Sequence, residues 1–100
     1  SVAIKNGTVI AVEGFEGTDD MILRAGKLAG EGCVVVKVSQ IDHDSRWDIP
    51  VVGLTTLKSL KKAKCHCLAI EANQVIVLER EKLIHTANEL GISIVSVETT

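Results

Sequence analysis

Residues 18–38 read TDDMILRAGKLAGEGCVVVKV, and this stretch decides the fold. Thr18 is suited to cap a helix, and Asp19 and Asp20 then fall in the first turn, where the helix dipole favours negative charge. Met21, Ile22, Ala25, Leu28 and Ala29 recur at helical spacing, and Gly30 and Gly32 stop the helix. Cys33 to Val38 follows at once as a β-branched run, the pattern of a strand buried on both faces. A helix leading directly into such a strand is the unit of an α/β fold.

Upstream, residues 2–13 alternate around Asn6-Gly7, a dipeptide that accepts the positive φ angles of a tight hairpin turn. A β-hairpin is predicted there, broken by Gly14 and Gly17. Downstream, residues 39–53 are polar and irregular and end in Ile49-Pro50 and Gly53. Thr55 can cap a short helix carrying Leu57, Leu60 and Ala63. Residues 66–71 and 75–79 read as two strands joined at Asn73-Gln74, a second hairpin. Residues 80–90 place Leu83, Ile84, Ala87 and Leu90 on one helical face. Gly91 ends that helix, and Ile92 to Val97 form a last strand. The predicted order is ββαβαββαβ: an α/β (α+β) fold with a mixed sheet, two β-hairpins and three helices.

The 100 residues suit one domain, and 46% hydrophobic with 24% charged residues is a globular composition. Aromatics are 2%, so the core must be aliphatic. Ser1 leads straight into strand-like sequence, which predicts a domain of a longer chain. A net charge of −2 gives no electrostatic case for nucleic acid. The lysines at 58, 61, 62 and 64 read as a solvated helix face. Three cysteines, Cys33, Cys65 and Cys67, lie in apolar stretches without disulfide-framework spacing and predict a reduced, cytoplasmic protein. Cys65-His66-Cys67 lacks the second half-site that a structural zinc centre needs, and reads as the start of a strand. His85 reads as a solvent-facing helical residue beside Glu81 and Glu89.

Polar residues concentrate in two places. Glu13-Gly-Phe-Glu16-Gly17-Thr18-Asp19-Asp20 spans a strand end and a helix start. Free backbone N–H groups there can hold phosphate, and the carboxylates of Glu13, Glu16, Asp19 and Asp20 can hold a hard cation such as Mg²⁺. Plain N-capping with aspartates matched to the dipole explains the same residues. The second cluster runs from Lys37 to Asp48 and follows the buried strand, beyond whose carboxyl end α/β ligands commonly bind. It mixes Asp42, Asp44 and Asp48 with Lys37, His43 and Arg46, as phosphoryl transfer requires. A solvated loop with local ion pairs is the alternative.

Together the two clusters resemble the C-terminal domain of the LpxI family, UDP-2,3-diacylglucosamine pyrophosphatases of bacterial lipid A synthesis. The matching residues are Val12, Glu13, Glu16, Gly17, Thr18 and Asp19; then Lys37, Asp44, Arg46, Asp48, Pro50 and Gly53; then Ala69, Glu71 and Ala72. They run in order through the whole chain. His43 departs from an expected Gln, Val51 from a Thr and Asn73 from a Gly.

The resemblance implies a Mg²⁺-dependent hydrolase that splits the pyrophosphate of UDP-2,3-diacylglucosamine into 2,3-diacylglucosamine 1-phosphate and UMP. It implies Asp48 and Asp44 as catalytic carboxylates. Asp44, Asp48, Glu16 and Asp19 become candidate metal ligands, and Lys37, Arg46, Gly17 and Thr18 candidate phosphate contacts. The partners it implies are an N-terminal domain of the same protein, without which the chain is expected to be inactive, and the lipid-linked sugar nucleotide. Peripheral contact with the inner membrane and a homodimer are further expectations. The competing reading is a non-catalytic α/β ligand-binding or domain-interaction module.

Overall fold

The computed structural model describes residues 1–38, 51–72 and 75–98. Its elements are β1 (Val2–Lys5), β2 (Thr8–Val12), α1 (Thr18–Ala29), β3 (Val34–Lys37), β4 (Val51–Val52), α2 (Leu54–Ala63), β5 (Cys67–Glu71), β6 (Ile76–Val77), α3 (Arg80–Leu90) and β7 (Ser93–Val97). Five strands form a mixed sheet in the order β2-β1-β3-β5-β7, with β4 and β6 in a separate two-stranded sheet. β1 is antiparallel to both β2 and β3, and β3, β5 and β7 run parallel. Asn6 and Gly7 take φ of 51° and 75°, the positive values a tight hairpin needs.

The crossovers β2-α1-β3, β3-α2-β5 and β5-α3-β7 all advance in one direction across the sheet. Right-handed crossovers that advance together place their helices on a single face. Accordingly α1 packs on α2 and α2 on α3. The cross-strand row on the covered face is Ala11, Ala3, Val35, Leu68 and Ile94, and its first four members are 4% exposed or less. Met21, Ile22, Leu57, Leu60 and Leu83 close over it from the helices, so the core is aliphatic. Gly26 is where α1 meets α2: a β-carbon there would lie 2.8 Å from Ala63 Cβ. Lys5 Nζ donates to Ala29 O at 2.7 Å and satisfies a carbonyl at the end of α1.

The α/β class, the mixed sheet, the three helices and the first hairpin stand as expected. Four details differ. Residues 66–71 and 75–79 do not make a hairpin: β6 is two residues long and pairs in parallel with β4, a strand absent from the predicted order. The end of β5 is held by β7 instead, Ala72 N donating to Val97 O at 2.7 Å. Thr18 is not the cap of α1. Gly17 holds that position at φ 94° and ψ 167°, a region essentially restricted to glycine, which frees the Thr18 side chain for other contacts. Gly53, not Thr55, precedes α2. Finally, Val34 and Val36 are only partly buried, so β3 is covered on one face among the described residues.

Candidate functional site at the carboxyl ends of the strands

β2 and β3 both run antiparallel to β1, so their carboxyl ends share one edge of the sheet with the start of β1 and the start of α1. That topology brings together residues far apart in sequence. Thr18 Oγ1 donates to Glu13 Oε1 at 2.5 Å and accepts from Lys37 Nζ at 3.0 Å. Ser1 Oγ lies 3.3 Å from the same hydroxyl. Among the described residues no side chain caps α1. Its first-turn N–H groups, which have no partner within the helix, therefore face this edge beside Lys37. Asp19 Oδ1 is buried there with no hydrogen-bond partner among the described residues.

Burial raises the Glu13 carboxyl and is the largest single influence, while hydrogen bonds from Thr18 and Ser1 and the charge of Lys37 lower it. Its pKa ends below the ordinary 4.5. Glu13 is thus held as an anion that orients Thr18 and balances Lys37. Glu16 behaves differently. It forms an exposed ion pair with Arg24, whose guanidinium also donates to Val12 O at 2.9 Å. The Arg24 hydrogen bond lowers the Glu16 pKa and is the largest cause of the shift.

Of the candidate residues, Thr18 and Lys37 meet directly, and Gly17 and Asp19 flank them. Glu16 makes its polar contacts with Arg24, outside this chain of hydrogen bonds. Asp44, Arg46 and Asp48 lie outside the described residues, as do Asp42 and His43. Among the described residues no group of three or more His, Cys, Asp or Glu could hold a metal. Asp19 is the described carboxylate at this edge whose Oδ1 has no hydrogen-bond partner. Cys65 is fully buried, and His66 lies 4.0 Å from Glu31. Lys58, Lys61, Lys62 and Lys64 are exposed, and His85 Nε2 sits 2.8 Å from Glu89 Oε1.

A second feature of this edge was not legible in the sequence. A cleft of about 490 Å³ opens at the carboxyl ends of β5 and β7, between α3 and the β4–β6 pair. Val52, Ile70, Val77, Leu83 and Ile94 supply aliphatic walls, and Glu71, Arg80 and Ser96 add polar groups to the lining. Its lining comes from five separate elements, so no local pattern announces it. A polar site and a cleft of mixed lining thus share one edge of one sheet, the edge where α/β folds bind ligands.

Fold and site define an α/β domain with a hydrogen-bonded cluster of Glu13, Thr18 and Lys37 at its strand ends. The family model described as the LpxI C-terminal domain matches residues 1–95, and the chain belongs to that family. A relative from Caulobacter vibrioides, UDP-2,3-diacylglucosamine pyrophosphatase LpxI, is 30% identical over 100 residues. The match covers 92% of this chain and 36% of the relative, so the chain spans about a third of that protein's length. Among the described residues no helix is long and apolar enough to cross a membrane.

Proposed function

We propose that this chain contributes the phosphate-binding part of an active site that hydrolyses UDP-2,3-diacylglucosamine to 2,3-diacylglucosamine 1-phosphate and UMP. The observation that carries the reading is the convergence of Lys37, Thr18, the uncapped start of α1 and the buried, unpartnered Asp19 oxygen. A pyrophosphate concentrates negative charge that repels an attacking water. Lys37 and the first-turn N–H groups offset that charge, and Thr18 fixes the position of the ammonium. The neighbouring cleft, with both aliphatic and polar walls, suits part of a diacylated sugar.

Asp19, with Asp44 and Asp48, would hold Mg²⁺. When bound, the ion neutralises phosphate charge and lowers the pKa of associated water. Glu16, engaged with Arg24, is left out of this ligand set. In the reaction water adds to one phosphorus, the bridging P–O bond breaks, and the departing phosphate leaves as the second monophosphate. Arg46 is placed as a further phosphate contact. The reading locates the reaction at the cytoplasmic surface of the inner membrane, where a diacylated substrate meets a soluble domain.

The test is hydrolysis of UDP-2,3-diacylglucosamine by the full-length protein, followed by mass spectrometry. UMP and the sugar 1-phosphate should appear with Mg²⁺ and disappear with EDTA. No turnover with Mg²⁺ in a folded full-length protein would favour the non-catalytic ligand-binding module instead.

A further inference from the structure

Phe15 is the single phenylalanine of the sequence and the one aromatic side chain among the described residues. The aliphatic core makes no use of it, and it stands fully exposed on the turn between β2 and α1. That turn is braced. Arg24 pairs with Glu16 and also donates to Val12 O at 2.9 Å, so one guanidinium ties together the chain on both sides of Phe15. On the inner side Glu13 accepts from Thr18. The phenyl ring is therefore held out in water by its neighbours' contacts and forgoes the stabilisation that burial would give. Gly17, at the start of α1, is two residues away, at most about 7 Å along the chain.

The order of the sheet sets Phe15 opposite the cleft. β2, which leads into Phe15, lies two strands to one side of β3 and Lys37, and β7, whose end borders the cleft, lies two strands to the other. At about 4.8 Å per strand each is about 10 Å from Lys37. The substrate has the same three-part order: uridine, pyrophosphate, diacylated sugar. With the pyrophosphate at Lys37 and Thr18 and the diacylated sugar at the cleft, the nucleoside falls on the side of Phe15. We propose that the Phe15 ring is the stacking platform for the uracil base, an assignment that rests on the substrate proposed above. Uracil offers a flat π-face that an exposed phenyl ring covers without a matched set of hydrogen bonds. The contact supplies affinity for the nucleoside and tells a base-bearing pyrophosphate from a bare one.

UDP and inorganic pyrophosphate, two probes that need no turnover, separate the base from the anion when titrated into the full-length protein by calorimetry with Mg²⁺. Wild type should bind UDP more tightly than pyrophosphate. Phe15→Ala should weaken UDP about tenfold, the scale of losing one base–aromatic stack, and leave pyrophosphate unchanged. Phe15→Leu, apolar but without a π-face, should lose as much, and Phe15→Trp should keep UDP affinity. Because Phe15 is fully exposed, all three variants should unfold at the wild-type urea concentration. The proposal is overturned if wild type does not distinguish the two probes, if UDP affinity survives Phe15→Ala, or if Phe15→Leu restores it. Loss of binding to vesicles of anionic phospholipid in Phe15→Ala, with UDP affinity intact, also overturns it and assigns the ring to a membrane surface. A Phe15-dependent preference for UDP in a protein that releases no UMP from UDP-2,3-diacylglucosamine upholds the stack and removes the proposed reaction. Unchanged UDP binding in Phe15→Ala beside normal hydrolysis does the reverse.

Discussion

Replacing Thr18 by Val keeps the shape of the side chain and removes the hydroxyl that links Glu13 to Lys37. The wild-type hydroxyl donates to Glu13 at 2.5 Å and accepts from Lys37 at 3.0 Å. A hydrogen bond to a charged group contributes about 1.5–3 kcal/mol. The Glu13 side chain is 28% exposed, so water replaces part of the loss and about 1–2 kcal/mol is expected near neutral pH. For a domain of this size that is a fall in Tm of about 5–15 °C.

The effect should depend on pH in a defined direction. Folding lowers the Glu13 pKa below 4.5, so its stabilisation is present above that value and is lost as pH falls through the folded-state value. Without the Thr18 hydrogen bond the folded value moves back up, and Glu13 loses part of what it contributes. The stability gap between wild type and Thr18→Val, measured by urea unfolding of the chain, should therefore be full at pH 7 and close towards pH 3. A gap that is constant over that range, or smaller than about 0.3 kcal/mol at pH 7, refutes the linkage of these three residues.

Gly26→Ala should destabilise the chain by about 1–2 kcal/mol. Overpacking against Ala63, at about 1–3 kcal/mol, outweighs the better helix propensity of alanine; thermal unfolding checks this, and a stabilised variant would contradict the close helix approach. Burial pushes the Cys65 thiol up to about 11, so after brief exposure to iodoacetamide at pH 8 the Cys65 peptide should stay unmodified in the folded chain and be labelled in urea. The 100-residue chain alone should fold, as a cooperative urea transition would show. It should release no UMP from UDP-2,3-diacylglucosamine, and robust turnover would remove the need for further polypeptide at the site.

What could be read from the sequence depended on how local each signal was. Asn6-Gly7 marks its hairpin because the turn itself demands positive φ. The 80–90 helix coincides with α3 because Leu83 and Ala87 repeat one helical turn apart and Gly91 ends it in the left-handed region. β4 and β6 escaped because each is two residues long and their pairing joins Val51 to Ile76, far apart in the chain. The run Val34-Val35-Val36 predicts a strand correctly, yet β-branched residues alone do not tell a face sealed by helices from an open one. Glu13, Thr18 and Lys37 were each recognisable as polar residues near strand or helix ends. That they meet depends on β1 lying between β2 and β3, which no spacing in the sequence reveals.

The central claim is that this chain carries catalytic machinery for phosphoryl transfer, and Asp48 tests it most directly. Asp48 stands two residues before Pro50, at the Asp-x-Pro position by which the sequence resembles the LpxI family. In the full-length protein, Asp48→Ala should lower the rate of UMP release at least about a hundredfold, the scale of losing a positioned base or charge. Binding of UDP-2,3-diacylglucosamine, measured by calorimetry, should survive, and Asp42→Ala in the same assay should stay close to wild type. Near-normal UMP release from a folded Asp48→Ala protein, with Asp44→Ala equally active, would contradict the catalytic reading of this domain.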